Sequence, residues 1–161
     1  MPGPIASLVR HVRRRARHFS AVRAPILGGP LRGMTWSPSS RGKLLRIFFG
    51  TYEREQTRRF VDLVKSSITQ PPRVIFDVGA CVGYYTLLAS RLLGPRGVVY
   101  AFEPSPQNLF HLRNHVAYNR LANVQVFAEA LGAADGTARF NVGEGTGTGH
   151  LAANGNIEVR V

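Results

Sequence analysis

The chain has 161 residues, of which 44% are hydrophobic and 19% charged, so it supports one domain and is not disordered throughout, collagen-like or coiled-coil. Its single cysteine, Cys81, excludes a disulfide framework and favours a reducing compartment. The net charge of +12 lies mainly in residues 1–52, which hold ten basic residues and no acid. Residues 53–161 are nearly neutral, so the charge alone does not indicate a nucleic-acid-binding domain.

Residues 1–24 are predicted to form a basic amphipathic arm. Apolar side chains recur at helical spacing over residues 5–22, and arginines fall mostly on the opposite face. Four roles stay open: binding an anionic membrane surface or nucleic acid through residues 5–23, organelle targeting, and docking on its own domain. The sequence contains neither a secretory signal nor the ~20 consecutive apolar residues of a membrane span. We therefore expect a cytoplasmic protein, peripheral to a membrane if the arm binds lipid.

A connector and a helix are expected before the main α/β region. Residues 25–51 are rich in Pro, Gly and Ser and are predicted to be irregular. Residues 52–161 are predicted to be the folded domain. Its first helix is expected over Tyr52–Ile68, ended by the prolines that follow. The predicted buried stripe of this helix consists of Phe60, Leu63, Val64 and Ile68.

The next segment alternates short apolar strands with helices. Strands are expected over 74–78, 98–102 and 124–127, and helices over Tyr84–Leu93 and from Pro106, with Ser105 as its cap. Continuously apolar strands in the order β-α-β-α-β are typical of a parallel sheet covered on both faces. The predicted fold is α/β, a Rossmann-like three-layer sandwich with N-terminal helices.

Beyond residue 132 the pattern changes to edge-type strands. Ala138–Val142 and Ile157–Val161 alternate apolar and polar residues. The glycine-rich segment 143–149 between them has no lysine and no helix after it. We therefore interpret it as a flexible connector and not as a phosphate cradle.

The candidate site is a glycine turn opened by an acid. Asp77, Gly79 and Gly83 follow the first of these strands, and Glu103 ends the next one. Ligands of open parallel sheets bind beyond the carboxyl ends of the strands. The spacing G-x-x-x-G differs from the G-x-G-x-x-G of dinucleotide sites, no P-loop lysine is present, and an acid would repel a diphosphate. S-adenosylmethionine is cationic and carries no phosphate, so Asp77 suits its ammonium and Glu103 its ribose.

Two further residues are candidate contacts of the same cofactor. Glu129 lies just past the third strand, where that edge of the sheet would approach the adenine; a solvated loop acid is the alternative. Tyr84 and Tyr85 open the helix after the turn, and one of them is a candidate lining of the methionine end, with Tyr84 chosen as the cofactor contact; packing in the core is the alternative for each.

Histidines do not complete a catalytic site in the sequence. An alcohol acceptor would need a base or a metal to remove its proton. His111 and His115 share a helix face but have no third ligand at a suitable spacing, so they are predicted to form a solvated face. No catalytic base and no metal site are therefore assigned.

Five motifs follow one another over residues 29–161. They are Gly29-Pro30-Leu31-Arg32-Gly33-Met34, Gly50-Thr51-Tyr52-Glu53, Phe76-Asp77-Val78-Gly79-Ala80, Gly83-Tyr84-Tyr85-Thr86-Leu87-Leu88-Ala89 and Tyr100-Ala101-Phe102-Glu103-Pro104. In this order they resemble the FkbM-type class I methyltransferases. The resemblance implies a seven-stranded Rossmann-like fold, S-adenosylmethionine as methyl donor, and O-methylation of a hydroxyl on a sugar or other natural product. It also implies that Asp77, Gly79, Gly83 and Glu103 contact the cofactor, with Cys81 a departure from the usual polar residue.

The resemblance also suggests a truncated enzyme. Such proteins continue past a strand like Ile157–Val161 into a fourth parallel strand, so the chain is expected to correspond to the first half of the domain and to have weak or no activity. Two alternatives remain: a nucleic-acid-binding or RNA methyltransferase module, and a non-catalytic Rossmann-like remnant. A nicotinamide oxidoreductase is disfavoured by the glycine spacing.

Overall fold

The computed structural model describes residues 23–39, 43–67, 70–143 and 145–161. The predicted amphipathic helix of the arm, over 5–22, therefore lies outside the described residues. Among the helices that the structure does describe, none combines the length and apolar character needed to cross a membrane.

The described residues of the segment 25–51, expected as an irregular connector, form two short strands and a helix that pack against the domain. Strands β1 (Ala24–Pro25) and β2 (Thr35–Trp36) pair antiparallel, and helix α1 (Leu44–Phe48) follows. The glycines and prolines make tight turns that return the chain on itself, as in the hydrogen bond from Ile26 N to Met34 O of 2.8 Å. The apolar side chains between these turns join one core with the helix after the glycine turn: Ile26, Leu31, Met34, Trp36, Ile47, Leu87 and Leu88.

The α/β prediction is confirmed by a parallel sheet. Strands β3 (Arg73–Val78), β4 (Gly97–Phe102) and β5 (Val124–Phe127) lie in the order β3-β4-β5 in the described part of the chain. Helix α2 (Arg54–Ser67) precedes β3, helix α3 (Tyr84–Leu93) joins β3 to β4, and helix α4 (Pro106–Tyr118) joins β4 to β5. This is the Rossmann-like arrangement of parallel strands with crossover helices.

The described helices cover one face of this sheet. Ile75 and Val99 pack with Val64 of α2 and with α3, and Ala101 packs against α4. On the other face Phe76 is 63% exposed and Val78 58%, so the expected cover on both faces is not seen in the residues described. Leu63, predicted in the buried stripe of α2, is also exposed, because α2 turns only part of that stripe toward the sheet.

A second, antiparallel sheet follows the parallel one. Strands β6 (Thr137–Asn141), β7 (His150–Leu151) and β8 (Ile157–Arg160) lie in the order β7-β6-β8. The backbone joins it to the end of β5, where Ala130 N donates to Arg160 O at 2.9 Å. Between β6 and β7, Thr146 contacts Cys81 and Asn108 near the carboxyl ends of β3 and β4.

Candidate functional site

The turn after β3 places Gly79 and Gly83 in different surroundings. Gly79 has a φ of +76°, and a Cβ there would meet no atom within 4 Å, so its backbone is open to a ligand. Gly83 has a φ of +96°, and a Cβ there would lie 2.6 Å from Cδ1 of Leu112. Gly83 is therefore required for the packing of α3 against α4, and the structure gives it no ligand-facing surface.

Glu103 is a buried carboxylate at the carboxyl end of β4. It is 4% exposed. Its Oε2 accepts from Cys81 N at 2.7 Å, and its Oε1 accepts from Ser105 N at 2.8 Å and from Asn108 Nδ2 at 3.4 Å. Ser105 begins α4 as predicted, but its backbone N–H donates to Glu103 and its side chain makes no cap. A carboxylate accepts about four hydrogen bonds, so capacity remains for a ligand hydroxyl beside these partners.

A cavity of about 220 Å³ lies beside the glycine turn and Glu103. Of the residues that the sequence predicts as cofactor contacts, Gly79, Glu103 and Glu129 line it. Glu129 lies after β5 and forms an ion pair of 3.3 Å with Arg160. The carboxyl ends of two neighbouring strands thus bring two carboxylates to one cavity, as expected for a parallel sheet.

Asp77 faces away from this cavity. Its Oδ2 accepts from the hydroxyl of Thr86 at 2.5 Å, and Thr86 is fully buried on α3. Asp77 alternates with the exposed Phe76 and Val78, so its side chain lies on the helix-covered face of β3. Burial raises the pKa of Asp77, which the Thr86 hydrogen bond partly offsets. In this position Asp77 joins β3 to α3.

Tyr84 packs in the core, as the alternative to a cofactor contact predicts. It is 6% exposed, its ring meets that of Trp36 edge-on at 6.5 Å, and its hydroxyl lies 3.3 Å from the hydroxyl of Thr57. The aromatic character of position 84 therefore serves the contact between α2, α3 and the N-terminal segment.

The glycine-rich segment takes part in the site, which its interpretation as a flexible connector missed. The carbonyl of Thr146 accepts from Asn108 Nδ2 at 3.0 Å and from the thiol of Cys81, and Thr146 lines the cavity. Burial, and repulsion from Glu103, raise the pKa of the Cys81 thiol, so it stays a hydrogen-bond donor at neutral pH. The sequence analysis also does not predict Asn108 as a site residue. Its position in the first turn of the helix that follows Glu103 is the sequence signal that indicates this role.

The prediction of a solvated histidine face on α4 is wrong for His115. This residue is fully buried, and its ring stacks on Trp36 at 3.8 Å. The N–H of Ser37 donates to its Nε2 at 3.1 Å, so Nε2 is an acceptor and Nδ1 carries the proton that is donated to Val82 O at 2.7 Å. His115 therefore ties the N-terminal segment to the glycine turn as a neutral side chain.

The residues at the cavity fit an adenosine-containing cation. Glu103 and Glu129 supply acceptors for ribose hydroxyls and an amino group, and the open backbone at Gly79 permits close approach. The cavity, of about 220 Å³, is smaller than the roughly 300–1,000 Å³ typical of small-molecule sites, and Thr146, Gly147 and Gly149 of the glycine-rich segment form part of its wall. A ligand of nucleoside size would have to displace part of this segment.

Comparisons with solved structures return methyltransferases over parts of their length. A protein-L-isoaspartate O-methyltransferase is 22% identical and has a TM-score of 0.42. The match covers 49% of this chain and 24% of that chain. A precorrin-6y C5,15-methyltransferase from Geobacter metallireducens GS-15 is 26% identical, with a TM-score of 0.39 and coverages of 45% and 37%. A ribosomal protein L11 methylase from Lactobacillus delbrueckii subsp. bulgaricus is 21% identical, with a TM-score of 0.39 and coverages of 47% and 38%. This chain thus spans less than half the length of each of them.

A search of curated proteins found no match. The sequence model of the Methyltransferase FkbM domain matches residues 77–158, about half of the chain, from the acid of the glycine turn to the last strand. By this match the chain belongs to the FkbM methyltransferase domain family.

Proposed function

We propose that this chain binds S-adenosylmethionine at the cavity beside Gly79 and takes part in methyl transfer to a hydroxyl of a sugar or other natural product. The observation that carries the proposal is the meeting of Glu103 and Glu129 at one cavity with an open glycine backbone. When bound, the cofactor supplies a methyl carbon activated by a sulfonium. The hydroxyl acceptor rests on the resemblance of the motifs to FkbM-type enzymes.

Each lining residue has a separate part in this binding. Glu103 is held in place by Cys81 N–H and Ser105 N–H, so its carboxylate meets a ribose without reorganising. Glu129 is held by Arg160 and accepts from the amino group of the adenine. Both carboxylates disfavour a diphosphate, so the same geometry discriminates against NAD⁺ and ATP.

Calorimetry with S-adenosylhomocysteine tests the proposal directly. We expect the wild-type chain to bind it, NAD⁺ and ATP to bind more weakly, and E103Q to weaken the binding by about tenfold or more, since hydrogen bonds to a charged group are lost. E158Q, a change of an exposed glutamate on β8, is the control and should leave the affinity unchanged. Thermal unfolding of both variants shows whether they fold.

Two outcomes would overturn the proposal. One is tighter binding of NAD⁺ or ATP than of S-adenosylhomocysteine. The other is unchanged binding by a folded E103Q. Transfer of a labelled methyl group to RNA, and none to hydroxylated small molecules, would overturn the acceptor class and favour the nucleic-acid alternative.

A further inference from the structure

Glu53 is a carboxylate in a strained position that the proposed site does not use. Its φ of +42° lies in the left-handed region, which non-glycine residues seldom adopt and which is concentrated at functional sites. The hydroxyl of Tyr85 donates to its Oε2 at 2.9 Å, and burial together with this carboxylate raises the pKa of Tyr52. Burial and this carboxylate raise the pKa of Tyr85 to about 12, so at neutral pH the phenol remains a donor to Glu53.

Lys43 lies next to Tyr52. Its ammonium is 5.7 Å from the ring centre of Tyr52. The ammonium also lies close to Gly147, which lines the cavity. If Gly147 had a Cβ, that atom would be 3.9 Å from the Lys43 ammonium. Lys43 and Glu53 are both partly buried. A cation thus lies over the ring of Tyr52, and the next residue in the chain, Glu53, carries a carboxylate.

Lys43, Tyr52, Glu53 and Tyr85 together are called the Tyr52 cluster. This cluster borders the cavity on the side of the glycine turn. Tyr52 and Tyr85 pack in the same cluster as Cys81, and Cys81 lines the cavity. The strand order β3-β4-β5 puts Glu129, Glu103 and the turn after β3 in sequence along one edge of the sheet, and Tyr85 lies in the first turn of α3 beyond it. A ligand whose adenosine lies at Glu103 and Glu129 therefore extends toward Cys81 and the Tyr52 cluster.

The far end of that ligand needs charge partners that Asp77 does not provide. Asp77 is turned to Thr86 on the helix side of β3 and does not face the cavity. The methionine end of S-adenosylmethionine is a zwitterion with an ammonium and a carboxylate. Next to the cavity, the carboxylate of Glu53 is held by Tyr85, and the ammonium of Lys43 lies near Gly147 of the cavity wall. These two charges complement both groups through charge-assisted hydrogen bonds.

We propose that Glu53 and Lys43 bind the ammonium and the carboxylate of the methionine end of S-adenosylmethionine. This inference rests on the proposed function, because it extends the same site. It replaces Asp77 with Glu53 as the residue that recognises the ammonium.

Two ligands that differ only at this end test the inference. S-adenosylhomocysteine carries the amino-acid group, and 5′-methylthioadenosine has the same nucleoside and sulfur without it. We expect E53Q and K43M each to weaken binding of S-adenosylhomocysteine by about tenfold and to change that of 5′-methylthioadenosine by less than about twofold. E55Q and K65M, exposed residues of α2, are the matched controls and should change neither.

The outcomes separate this inference from the proposed function. If folded E53Q and K43M bind both ligands more weakly by the same factor, or bind both as tightly as the wild type, the inference is overturned and the proposed function is not. A wild-type chain that binds neither ligand overturns the proposed function and this inference with it. K43M keeps the test decisive if the loss of Glu53 prevents folding, because it leaves the Glu53–Tyr85 bond in place.

Discussion

At the scale of single residues, His115 shows how burial sets a protonation state. Its Nε2 accepts a hydrogen bond from the backbone N–H of Ser37, which can only donate. A proton on Nε2 would point at this N–H, and the hydrogen bond would be lost. Burial, more than repulsion from His111, lowers the pKa of His115 from 6.5 to about 4. The neutral ring is therefore part of the folded state.

The stability of the chain should follow this pKa. Between pH 4 and 6.5 the unfolded chain binds more protons than the folded one, so stability is present above pH 6.5 and falls as pH drops toward 4. The full effect is roughly 3 kcal/mol. Urea unfolding at a series of pH values should show this slope in the wild type and in H150Q, whose histidine is exposed, and a reduced slope in H115Q. An unchanged slope in H115Q would contradict the assignment.

At the scale of elements, the turn between β3 and α3 combines an open side and a packed side. Cys81 and Glu103 hold the turn to the end of β4 by the Cys81 N–H bond of 2.7 Å. Gly83 brings the start of α3 against Leu112 of α4. The open side faces the cavity, and the packed side fixes the angle between the helices.

Substitution of Gly83 should measure that packing. G83A introduces both a positive-φ alanine and a contact of 2.6 Å with Leu112, whereas G33A, at a φ of +84° with no atom within 4 Å, introduces a positive-φ alanine alone. We expect G33A to cost about 1 kcal/mol and G83A about 1–3 kcal/mol more, since a buried neighbour has to move. Denaturant unfolding gives both values. Equal losses would mean that Leu112 moves aside without cost.

At the scale of the whole molecule, the described part leaves an aromatic sheet face open. Phe76 stacks on Tyr100 at 5.3 Å and Phe102 stacks on Phe127 at 4.9 Å, on the face opposite the helices. Among the strands that the structure describes, β3 forms one edge of this sheet. An apolar face beside an unpaired strand edge promotes association.

Self-association should therefore depend on this face. We expect the sedimentation coefficient of the wild-type chain to rise with protein concentration, and F76K to reduce that rise. L63K changes a leucine of α2 that is similarly exposed, so it controls for added charge and should not reduce it. If L63K and F76K had the same effect, the sheet face would not be the site of association.

Local chemistry made much of the fold readable in the sequence. Apolar runs bounded by glycine and proline identified β3, α3, β4, α4 and β5, and the acids at strand ends identified Glu103 and Glu129, because these signals act over a few residues. The family followed from motifs in the same segments. The domain limits, the acceptor and the cofactor contacts remain predictions.

Only the tertiary structure decided where side chains with similar sequence signals point. Asp77 and Glu103 both end strands, yet the first lies under α3 and the second at the cavity, because strand alternation and the turn geometry set their directions. His115 is polar, and Ile26, Leu31 and Trp36 lie in a segment rich in glycine and proline, yet all four are buried, because they pack against partners distant in the sequence. The sequence by itself determined which groups are available at the site; packing between distant segments decided which of them meet.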